Sequence, residues 1–152
     1  MTLKHWAAER LVQSRDDFLG VDLTNTADMN ALFVLDEFEH IVTVAGESVS
    51  SMGVVVTSRA LFRNVAHGVG DQGHNLVLST DGTDRIYFGG WTLVDCGGIS
   101  VERSAAGFVP RFRPWTYMFV RTVSTVAYER MLKALVLYAE TVPRCAGEGL
   151  QC

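Results

Sequence analysis

Asp95-Cys96-Gly97-Gly98 combines a thiol with two glycines, and His67 lies 29 residues before the cysteine. A cysteine nucleophile needs a base or a positive neighbourhood to hold its thiolate, so Cys96 with His67 is the candidate catalytic pair. The plainer reading is a loop whose glycines make a tight bend and whose cysteine is a small buried hydrophobe. His67, His74 and Cys96 are conceivable metal ligands, but their spacing matches no zinc pattern and supplies no fourth ligand. His67 suits a helix C-terminus, where a cation meets the negative end of the dipole. His40 reads as a surface or edge residue of a strand. Asp36, Glu37 and Glu39 read as a solvated acidic turn, since acid–base work needs a cleft that perturbs their pKa values. Gly68-Val69-Gly70 closes a helix and opens none, so phosphate cradling is not expected. No metal and no cofactor is expected. Arg111, Phe112, Arg113 and Trp115 mix residue types that are enriched at binding hot spots. They form the candidate recognition segment within Phe108 to Trp115, or else an extended connection that pins its aromatics into the core.

The Asp-Cys-Gly-Gly loop resembles the nucleophile loop of chymotrypsin-like viral cysteine proteases. In that family the glycines expose the sulfur and aim backbone N–H groups at an oxyanion. The segment ending at His67, VVVTSRALFRNVAH, is similar to the family's general-base segment. Two β-barrels, however, need their His and Cys separated by most of a domain, and this chain is too short for both and ends in a long helix. A small cysteine hydrolase is therefore the alternative reading.

Those residues must be positioned by a chain of 152 residues, enough for one domain with a real core. Hydrophobic residues make up 48% and charged residues 20%, a globular composition. The net charge of −4 and the lack of a basic run argue against nucleic acid as a partner. No apolar run approaches the roughly 18 residues of a membrane span. The start, MTLKHWAAER, has none of the apolar centre of a signal peptide. Three cysteines at irregular spacing make no disulfide framework. The expected location is cytoplasmic.

Thr2 caps a first helix over Leu3 to Leu19, which Gly20 stops. A polar linker, Asp22 to Asp28, follows. Ala31 to Leu35 is a strand, Asp36 to Glu39 its turn, and His40 to Ala45 the return strand. From Ser48 or Ser50 through His67 the spacing predicts a helix, with Val54, Val55, Leu61, Phe62, Val65 and Val69 on its core face. The competing reading makes GVVVTS another strand, on the strength of its β-branched triplet. HNLVLS and DRIYFGGW form a hairpin around the TDGT turn. Short strands follow around the 95–98 loop. Ser104 to Gly107 is the expected mobile segment, and Phe108 to Trp115 is extended and irregular around its prolines. Tyr117 to Thr122 is the last strand. Ser124 or Thr125 caps a closing helix to Thr141, which Pro143 terminates. Val136 and Leu137 widen its apolar face toward a second packing surface. The fold class is α+β, a mainly antiparallel sheet of about five strands with helices packed on it, in the order α-β-β-α-β-β-β-α. Residues 1–143 form the domain and 144–152 a flexible tail.

In three places the chain resembles the roadblock family of dynein light chains, whose relatives include Ragulator subunits and bacterial partners of motility GTPases. ALFVLDEFEHIVTVAGE is similar to that family's first hairpin, HNLVLSTDGTDRIYFGG to its second, and YMFVRTVSTVAYERMLKALVLYAE to its last strand and closing helix. The resemblance implies a non-enzymatic scaffold that acts as a homo- or heterodimer and presents a platform to a small GTPase or a larger assembly. It places the dimer helix at Ser50 to His67, with Val56, Arg59, Ala60 and Arg63 on the outer face. An acidic chaperone or inhibitor that binds one partner shares the same size and charge.

Overall fold

Five strands pair into one antiparallel sheet in the computed structural model, which describes residues 3–12, 26–72, 77–87, 90–105 and 107–139. The elements are α1 (Leu3–Ala8), α2 (Thr26–Asn30), β1 (Leu32–Val44), β2 (Glu47–Ser58) and α3 (Arg59–Gln72). They continue with β3 (Leu78–Tyr87), β4 (Trp91–Ser104), β5 (Gly107–Val120) and α4 (Thr125–Ala139). The sheet order is β1-β2-β5-β4-β3, and every neighbouring pair is antiparallel. This is the α+β architecture expected from the sequence. No helix among the described residues is long and apolar enough to cross a membrane.

The sheet separates two layers. On its inner face Leu35, Phe38, Val55, Val94, Cys96, Met118 and Val120 bury against Phe62 and Val65 of α3 and against Ala127, Met131, Ala134 and Leu135 of α4. On its outer face Val34, Val54 and Val56 bury against Ala7, with Trp6, Leu11 and Tyr117 packed around them. The Val54-Val55-Val56 run is therefore apolar on both faces because both faces are covered there, the situation that produces unbroken β-branched runs.

That double burial corrects the helix expected from Ser50 to His67. Residues up to Ser58 are strand, and α3 begins at Arg59. Its N-cap is Ser58, whose Oγ accepts the Leu61 backbone N–H at 3.2 Å; Ser48 and Ser50 lie within β2. The first turn is corrected too. Asp36 to Glu39 continues β1, and the chain reverses at Ala45-Gly46, with φ of 52° and 87°. Two successive positive φ values suit the two-residue hairpin whose twist matches the strands. The acids alternate across the sheet: Asp36 meets Arg130 of α4 at 2.6 Å and Glu39 meets Lys4 of α1 at 2.9 Å. Phe38 lies between them on the bare backbone of Gly53, where an added Cβ would collide with its ring.

Asp81-Gly82 likewise continues β3, opposite Asp95 and Val94, so TDGT is no turn. Gly90, at φ 68°, precedes β4. The Asp95 to Gly98 segment is the middle of β4, and the short strands expected around it are one 14-residue strand. Ser104 at the end of β4 pairs with Gly107 at the start of β5. Phe108 to Trp115 belongs to β5, in unbroken register with β4 from Phe108 through Pro114. Its prolines are tolerated because β2 pairs only with Tyr117 to Val120, leaving the first half of β5 with β4 as its strand neighbour. Ser124 caps α4 as expected, its Oγ accepting the Ala127 N–H at 3.2 Å. The first helix, expected to reach Leu19, ends at Ala8, and Leu11 bridges to Val34 of β1; Thr26 to Asp28, expected as linker, open α2. The expectations for residues 13–20, Asp22 to Asn25, His74, Pro143 and the 144–152 tail lie outside the described residues.

Candidate functional site

Cys96 is fully buried on the inner face of β4. Burial, with the nearby Asp95 carboxylate adding to it, pushes the thiol up to about 11. Both influences oppose a thiolate at neutral pH. His67 lies on α3, its side chain outside the described set. The two glycines serve packing. β5 carries an irregularity between Thr116 and Pro114, opposite the Cys96-Gly97 step. Trp115 lies at that step and its ring covers Gly98, where a Cβ would stand 2.8 Å from the ring. On the opposite face the Phe112 ring covers Gly97. The Asp-Cys-Gly-Gly pattern is thus a seat for two aromatics.

The residues expected on a dimer helix are dispersed. Val56 is a core residue of β2 at 2% exposure. Arg59 is buried at the start of α3, its guanidinium 4.2 Å from the Phe33 ring and bonded to the Asp28 carbonyl. Desolvation holds its pKa below the usual arginine value, with Asp28 partly compensating. Ala60 is half-buried and Arg63 exposed. These four do not make one outer face, because a strand and a helix contribute them.

The Phe108 to Trp115 segment divides between the faces. Trp115 is buried in the core, its Nε1 without an acceptor among the described residues. Arg111 and Arg113 converge on Glu102 across the β4–β5 pair, Arg111 at 2.7 Å, and Arg113 also donates to the Ser100 Oγ at 2.9 Å. Phe112 points to the outer face. There the alternation along β4 places Leu93, Asp95, Gly97, Ile99, Val101 and Arg103 beside Phe119, Tyr117, Phe112 and Phe108 of β5. Val101, Phe108 and Phe112 are strongly exposed. α1 packs over β1, and among the described residues the outer cluster it forms extends no further than Tyr117. The result is an apolar sheet face bounded by charges, a geometry suited to contact with another protein surface.

One contact had no signal in the sequence. His40 Nε2 lies 2.8 Å from the Ser124 Oγ, while the buried His40 Nδ1 has no hydrogen-bond partner among the described residues. The pair lines a groove of about 310 Å³ between β1 and the start of α4, with Ile41, Val42, Val123 and Val126. The two residues are 84 positions apart, so only the fold brings them together. No group of three His, Cys, Asp or Glu side chains that could hold a metal ion occurs among the described residues. No family model, curated protein or solved structure matches this chain.

Proposed function

We propose that this chain is a non-enzymatic protein-binding domain that acts as a dimer. The observation that carries the reading is the outer face of β4 and β5, where Val101, Phe108 and Phe112 are 61%, 77% and 41% exposed. Contiguous apolar surface of this kind is disfavoured in water and marks interaction sites. Its aromatic content matches the residue types that dominate binding energy. Strand pairing holds the surface in shape before a partner arrives, which lowers the ordering cost of binding.

The order of helices and strands supports a roadblock-like scaffold, and that likeness adds a small GTPase or a larger assembly as the client of the dimer. The interface moves from the helix first expected to the sheet. A cytoplasmic location follows from the cysteine usage. The test is the double substitution Phe108→Ser and Phe112→Ser, read by light scattering with circular dichroism as the control for folding. The expected result is lost self-association with an unchanged spectrum. Unchanged association in the folded double variant would refute the reading.

A further inference from the structure

We propose that the occupant of the β4–β5 outer face is a second copy of this chain, packed sheet on sheet about a two-fold axis that crosses β4 at Ile99. This rests on the protein-binding reading above and specifies its partner and geometry.

The argument starts from charge. Asp81 and Asp95 are directly opposed on β3 and β4, on the same outer face. Like charges in directly paired strand positions repel. The Asp95 carboxylate accepts the Asp81 backbone N–H at 3.0 Å, which holds it beside its neighbour. Neither acid forms an ion pair with a described residue. At the other end of the same face Arg103 is exposed and also forms no ion pair with a described residue. Among the described residues, one apolar strip thus carries an acidic pair and a cation without ion-pair partners.

Their spacing is self-complementary. Asp95 lies four residues before Ile99 and Arg103 four residues after it. At about 3.3 Å per residue each lies roughly 13 Å from Ile99. A two-fold axis in the plane of the interface, across β4 at Ile99, reverses position along the strand. It sets Arg103 of each copy over the Asp81–Asp95 pair of the other. Packed sheets are separated by about 10 Å, a gap that an arginine and an aspartate together span. The same operation sets Phe112 over Phe112, because Phe112 pairs with Ile99. It sets Phe108, which pairs with Arg103, over Tyr117, which pairs with Asp95. Aromatics therefore meet aromatics wherever charges meet charges. An interface of this kind is isologous and closes at two copies.

The test is charge reversal with rescue. Arg103→Asp and Asp95→Arg, each alone, should weaken the dimer about tenfold or more, since each turns two attractions into repulsions. The double variant should recover most of the loss, which damage to folding would not do. Ile99→Cys should cross-link to its own counterpart through a short bis-maleimide, with the bridge between the two introduced thiols located by mass spectrometry. A dimer that ignores both reversals, or whose cross-links avoid position 99, overturns this arrangement and leaves the protein-binding reading standing. A protein that is monomeric at high micromolar concentration overturns both.

Discussion

At Cys96, burial and the Asp95 charge act in one direction, against the thiolate. The thiol's folded pKa of about 11 exceeds its ordinary value of 9.0. The native state therefore keeps its proton where the unfolded chain loses it. Stability from this group is fully present below about pH 9 and is lost as pH rises toward 11. Burial raises Tyr138 in the same sense, so the alkaline limb should steepen. A chemical melt followed from pH 8 to 11 checks the sign, and Cys96→Ala should flatten the limb. The same environment predicts that Cys96 reacts slowly with iodoacetamide until the protein unfolds. The glycine seats make a second residue-scale prediction. Gly98→Val would drive a side chain into the Trp115 ring and should lower stability by about 2–4 kcal/mol, read from urea midpoints.

Among the elements, β2 and α3 explain where the sequence was legible and where it was not. The cap was sought at Ser48 or Ser50 and not at Ser58, because a helical period extended backward through Val54 and Val55 and hid the boundary. Buried-on-both-faces strands lose the alternation that identifies them, and here the valines serve two cores at once. Asp36 to Glu39 misled for the opposite reason. Its acids look solvated in sequence, but two of the three have a distant cation, 94 residues away for Asp36 and 35 for Glu39. The closing helix and its cap were readable because both signals are local. Ser58→Ala should cost about 1 kcal/mol by loss of the α3 cap, measured by denaturant unfolding. The candidate recognition segment was visible as a composition of Arg and aromatic residues. Its division into a core tryptophan and a surface phenylalanine was not, because the irregularity opposite Cys96-Gly97 sets the facing and is a property of the pair.

For the whole molecule, the five-strand antiparallel sheet and its α+β class followed from the count and order of apolar runs. The strand order followed from nothing local, since β2 lies beside β5 through contacts some 60 residues apart. That order has a consequence for function. It sets α3 and α4 against the inner face and leaves the outer face of β4 and β5 beyond the reach of the α1 cluster. Val136 and Leu137 on α4 are exposed as well, at 55% and 62%, and form a separate surface. Val136→Asp with Leu137→Asp should leave self-association unchanged if the sheet face carries it. The most direct measurement is sedimentation of the native protein across the micromolar range. A chain of 16.7 kDa should sediment at twice that mass, with the single-chain mass restored by Phe108→Ser and Phe112→Ser. A single species at 16.7 kDa throughout would contradict the account.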